Sequence, residues 1–204
     1  MKRMLLTVMV IVAGLSVAAP DTNAQSSVDK RQQRMDAWHK DMAEFRARSD
    51  QDRQMAALAD SIASVQARAA LKNQDFVLEA DNITFKTGNT VFVNSTTNFI
   101  SVKGNRAVVQ ISPSSFASGP NGVGGVTVDG IITDQKIIVG KKGNINFSMN
   151  VMGVGINAQV EINMYPDSSN ATATVYPNFN SNTVWLSGKI VPYENSSVYE
   201  GMSL

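Results

Sequence analysis

The stretch INFSMNVMGVGINAQVEINMY, residues 145–165, alternates apolar and polar side chains with a period of two. Ile145, Phe147, Met149 and Val151 share one face, with Asn146, Ser148 and Asn150 on the other. Further on, Ile156, Ala158, Val160, Ile162 and Met164 stand opposite Asn157, Gln159, Glu161, Asn163 and Tyr165. Successive strand residues point to opposite sides of a sheet, so this pattern predicts strands with one dry face and one wet face, the habit of antiparallel sheets.

Outward from that stretch the same signal recurs. DFVLEADNITF (75–85), TVFVN (90–94), NFISVK (98–103), AVVQIS (107–112), GVTVDGII (125–132), KIIVG (136–140), ATATVY (171–176) and TVWLSGKIV (183–191) all read as strands. Between them lie KTGN, KGNR, GKKGN, YPDSSN and PNFNSN, whose Gly and Asn accept the left-handed conformations of tight hairpins. About ten short strands with no room for crossover helices imply a mainly β fold, an antiparallel meander closed as a barrel or packed as a sandwich. Roughly 130 residues suffice for one core.

The preceding segment differs. Residues 28–73 contain no Gly and no Pro and are dense in Ala, Arg, Gln and Asp, which suits helix. Ser26 or Ser27 can cap its start, with Asp29 in the first turn. Met35, Trp38, Met42 and Phe45 form one stripe at 3–4 spacing, and Met55, Leu58, Ile62, Val65 and Ala69 form another, one residue out of heptad phase. Ser49 and Asp52 between them resemble a capping box, predicting two helices in line or one broken near Ser49. The stripes suit a coiled-coil seam or the face of an arm lying on its own domain; barely two heptads on either side favour simple docking or a loose arm.

The stretch GPNGVGGVTVDG (119–130) invites a phosphate-loop reading. Such loops aim backbone amides at the ligand from a helix N-terminus. Here a strand pattern follows, and no Gly-Lys-Ser/Thr completes the motif. The context predicts instead a long connection from a strand ending near Ser112 to one entered at Val126. Gly124 and Gly125 there permit a bulge or a close backbone approach.

At the N-terminus, Lys2 and Arg3 precede an apolar run, Met4 to Leu15, too short to span a bilayer comfortably. Thr22-Asn23-Ala24 offers a small-x-small site, predicting signal-peptide cleavage between Ala24 and Gln25. The expected organisation is a signal at 1–24, a charged helical segment at 25–73 and a β domain at 74–204. With no cysteine in the chain there is none to carry a lipid anchor, so the expectation is release into the periplasm or medium. Of 18 basic and 17 acidic residues, 16 of each sign remain after the signal, and no basic stripe suggests nucleic acid.

The sequence supplies few catalytic parts. His39, beside Trp38, is the only histidine, and its place in the helical segment reads as an exposed side chain. Zinc and copper sites need His or Cys clusters that are absent, and the acids of the strand region fall singly, unlike calcium loops. Glu79, Asp81, Asp129 and Glu161 are the acids a glycosidase-type pair would draw on, with a solvated outer face the simpler account. Met149, Met152 and Met164 read as core packing. No catalytic, metal or cofactor-binding residue is assigned, and no enzyme activity is expected.

The blocks QDFVLEAD, VNSTTNFISVKGNRAVVQIS, GPNGVGGVTVDG, GNINFSMNVMGVGINAQVEI and VYPNFNSNTVWLSGKIVPYENSSVYEG together resemble the bacterial domain-of-unknown-function 4251 family, over about residues 73–204. The resemblance implies an exported protein of gut-type anaerobes with a lipocalin-like antiparallel barrel; it carries no established site residue. With the apolar inner faces, it leads to the expectation of a non-enzymatic module binding a small apolar or amphipathic ligand in the cell envelope. The alternative is a structural or interaction protein that uses its helix for homo-oligomer formation or partner contact.

Overall fold

A run of residues without Gly or Pro has nothing to stop it, and in the computed structural model it forms one helix, α1 (Thr22–Asn73). The structure describes residues 22–112, 125–154, 157–178 and 183–201, the first five as backbone alone. The cleavage junction at Ala24 and Gln25 falls within those five. No break occurs near Ser49: Ser49 and Asp52 lie inside the helix, and ion pairs Glu44–Arg48 and Asp50–Arg53 lie on either side of Ser49. A cap is worth about 1 kcal/mol, too little to offset the backbone hydrogen bonds an interruption would forfeit.

The chain divides into two compact units, Met1–Arg53 and Gln54–Leu204. In the first, Met35, Trp38 and Phe45 are exposed. The second contains the end of α1 and the whole sheet.

Of the two arm readings, docking through the apolar stripe is not what the structure shows. Leu58 and Ile62 are 60% and 59% exposed, whereas Ala67 and Leu71 on the other side are 0% exposed and belong to the barrel core. Ser64 and Ala70 complete the buried face. Small side chains let the helix backbone approach closely, and Leu71 supplies the apolar bulk. The helix then stops: Gln74 adopts φ 59° and its carbonyl accepts the Gly104 N–H at 2.9 Å. Arg68 meets Asp167 at 3.9 Å, so the last turns of α1 lie across the barrel end that carries the β3–β4 and β7–β8 turns.

Nine strands follow: β1 (Asp75–Phe85), β2 (Thr90–Phe92), β3 (Phe99–Lys103), β4 (Arg106–Ile111), β5 (Val126–Val139), β6 (Ile145–Gly153), β7 (Asn157–Met164), β8 (Asn170–Pro177) and β9 (Val184–Pro192). Each pairs antiparallel with its neighbour, and β1 also pairs with β9, closing an eight-strand barrel with β2 as an extra strand on β1. Closure, not a sandwich, is the outcome, and among the described strands it leaves only the short β2 with an unpaired side. At the seam Gly188 is required: a Cβ there would stand 1.9 Å from the Glu79 carbonyl oxygen.

GVTVDGII and KIIVG are one strand, not two. In β5 the register against β6 slips between Thr133 and Lys136. Val128 and Ile132 point inward before the slip and Ile137 after it, so one extra residue inverts the alternation and makes one strand read as two. Asp134, at the bulge, takes φ 50°. Asp81 plays the same part in β1, where the register slips between Ala80 and Asn82.

The inward side chains of all these strands form one apolar cluster, with Phe76 and Phe147 in edge-to-face contact at 5.5 Å. Met149 and Met164 lie in it as expected; Met152, half exposed, does not. A second, smaller cluster lies outside the wall. There Val77, Phe99 and Val108 are covered by Val191, Tyr193 and Val198 of the C-terminal segment.

Candidate functional site

Two features of the barrel unit are built beyond what packing demands: the clasp that holds the C-terminal segment, and a groove on the outer wall. At the clasp, buried Gln110 donates to the carbonyls of Thr97 (3.0 Å) and Tyr199 (2.9 Å). Its oxygen accepts the Gly201 N–H (2.8 Å) and the Thr127 hydroxyl (3.2 Å). All four hydrogen-bonding positions of the amide are thus used. Nearby, Arg106 grips Asp129 through two bonds of 2.8 Å and also reaches Glu200. The hydrogen bond to Asp129 holds the guanidinium pKa above its ordinary value, opposed by desolvation and reinforced by the charges of Glu200 and Asp129. The buried Gln110 amide is fully matched internally and Arg106 ties the same segment down by charge, which is the construction of a structural device.

The groove has spare capacity. It offers about 460 Å³ between the bulge midway along β5, the C-terminal ends of β6 and β8 and the start of β7. That volume lies within the range of about 300–1,000 Å³ common for small-molecule sites. Its floor is the outward row Thr133, Asn150, Gln159 and Tyr176, brought side by side by strand register. Asp134, Asn157 and Asn178 add polar rim groups, and Met152, Ala158 and Pro177 add apolar ones. The β5 bulge aims Asp134, and the Asn150 amide donates to its carboxylate at 3.1 Å. Gln159 donates to Glu161 at 3.0 Å, and Asn178 accepts the Asn157 N–H at 3.2 Å. The side-chain amides of Asn150, Gln159 and Asn178 are thus each held by one internal bond and have further donors or acceptors to offer a ligand.

The four acids considered for a catalytic pair have separate partners. Glu79 accepts the Ser197 N–H at 3.3 Å, Asp129 is bound by Arg106, and Glu161 by Gln159; Asp81 is the bulge residue of β1, its carbonyl bonded by Val93 N–H. Among the described residues, no three or more His, Asp or Glu side chains are grouped to hold a metal ion. His39 is exposed and meets the Trp38 ring edge-on at 5.0 Å. Gly124 lies outside the described residues. Gly125 makes the expected close approach: it has φ 69°, and a Cβ there would lie 2.0 Å from the Ile111 carbonyl oxygen. No described helix is long and apolar enough to cross a membrane.

Sequence reasoning missed the groove. Its parts come from four strands, and Met152 and Asp134 carry no signal until the bulge and the strand ends are known.

The family described as a domain of unknown function, DUF4251, matches residues 60–190. The match starts inside α1, not at residue 73, and therefore includes Ser64, Ala67, Ala70 and Leu71, the side chains that cap the barrel. A crystal structure of a DUF4251 family protein from Bacteroides eggerthii is similar at 47% identity, with a TM-score of 0.61, over 69% of this chain and 94% of that one. No curated protein matches the chain.

Proposed function

The chain belongs to the DUF4251 family, and from that premise we propose that it is an exported, non-enzymatic binding module of the cell envelope whose small amphipathic ligand occupies the outer groove. The observation that carries the reading is the groove itself: about 460 Å³, lined by oriented amides beside apolar walls. The barrel interior is the weaker candidate, because its described side chains pack against one another in a single cluster. Export is supported by Lys2, Arg3 and the apolar run Met4 to Leu15. Native mass spectrometry of protein purified gently from its own cells tests the reading. A small-molecule adduct is expected on the parent and not on a Gln159→Ala variant; bare protein in both cases refutes it.

The second reading, an interaction protein working through α1, is favoured by the exposure of Met55, Leu58, Ile62 and Val65, large apolar groups in a row. In the same spectra a multiple of the chain mass, lost on Leu58→Ser with Ile62→Ser, would support it.

A further inference from the structure

We infer that the groove recognises an uncharged saccharide. This rests on the reading of the groove as the ligand site and adds the chemistry of what enters it. The named groups are Asp134, Asn150, Asn157, Gln159, Asn178 and Tyr176. None is cationic, so nothing offers a charge-assisted bond to a phosphate or carboxylate. Wholly apolar ligands are disfavoured too, since they would bury these amides without partners. A ligand with many neutral hydroxyls matches this set of mostly uncharged donors and acceptors. An amide side chain both donates and accepts, and so does a hydroxyl, so each can satisfy the other in either sense.

Three features support preorganised recognition. Asp134 holds φ 50°, a conformation that costs a residue with a side chain, and it does so at the bulge that turns its carboxylate to Asn150. Asn150, Gln159 and Tyr176 are adjacent in one cross-strand row, about 5 Å from one to the next, a span that hydroxyls around one sugar ring can bridge. Tyr176, 40% exposed, presents a ring against which the apolar C–H face of a pyranose can lie. The wall beyond is consistent: along β6, β7 and β8, Glu161 is the one charged residue among the described outward positions.

Titrate the protein with maltose, cellobiose and chitobiose, and separately with deoxycholate, following backbone amide NMR shifts. At least one disaccharide is expected to move the amides around Asn150, Gln159 and Tyr176. Its affinity should fall at least tenfold in Asn150→Ala and in Tyr176→Ala, while Tyr176→Phe, which keeps the ring, stays within about threefold of the parent; each variant's spectrum also reports whether it is folded. Saccharide binding insensitive to both Ala variants overturns the inference. Groove-dependent binding of deoxycholate with none of the sugars overturns it too, but leaves the proposed function standing. No shift at the groove with any probe overturns both.

Discussion

Replacing Leu71 by Ala, beside the matched change Ile62→Ala, tests which face of α1 belongs to the barrel. Leu71 is 0% exposed within the core cluster, so its truncation removes buried methyl and methylene groups and leaves a cavity. Such changes cost about 2–5 kcal/mol, and a site at the end of a barrel, able to relax partly, belongs near about 3 kcal/mol. Ile62 is mostly exposed, and Ala is the better helix former, so its replacement should lie within about 0.5 kcal/mol of neutral. With a urea dependence of about 2 kcal/mol per molar, the Leu71 variant should unfold about 1.5 M earlier and the Ile62 variant at almost the parental midpoint. Circular dichroism cannot isolate the barrel from so long a helix, so the transition is best followed by Trp185 fluorescence in a Trp38→Phe background. Equal losses in both variants, or a neutral Leu71→Ala beside a costly Ile62→Ala, would refute the assignment. Repeating the titration at two protein concentrations separates a stripe covered by another copy from one left in water.

Gln110→Ala should strip the C-terminal segment of two of its hydrogen bonds, costing about 2–4 kcal/mol and accelerating hydrogen exchange at residues 198–201; unchanged exchange there would contradict the clasp. Gly188→Ala places a methyl group on the Glu79 carbonyl and should cost at least about 3 kcal/mol or prevent folding, read from soluble yield and melting temperature. Phe147→Leu forfeits the edge contact with Phe76 and should cost about 1–2 kcal/mol by urea titration. The Arg106 pKa is raised, so the stability it contributes is fully present below its unfolded value and is lost only as pH rises through the folded one. Raising the pH from about 7 to about 10 should therefore leave the clasp closed, once exchange rates are corrected for their intrinsic pH dependence.

Strands whose inner faces alternate without fault were legible residue by residue, because period two has no competing explanation; β6 and β7 are where their patterns put them. The bulges hid what they shifted. At Asp134 a single extra residue exchanged inside for outside, so KIIVG read as a fresh strand. In α1 the larger side chains drew the eye to the wrong face: hydrophobicity ranks Leu58 and Ile62 above Ser64 and Ala67, but fit against the barrel end ranks them the other way. The groove was illegible for a third reason, since its neighbours are set by register across four strands and not by spacing along the chain.

Barrel closure has a consequence for the order in which the protein is made. β1 is the first strand synthesised, and its partner across the seam, β9, begins about a hundred residues later. Until β9 arrives, one side of β1 is an unpaired edge on a growing sheet, apolar on its inner face and open to other chains. Contacts so distant in sequence form slowly. Assembly therefore has a late, rate-setting step, during which the nascent chain is vulnerable to aggregation. A chain truncated before Val184 would remain at that stage for good.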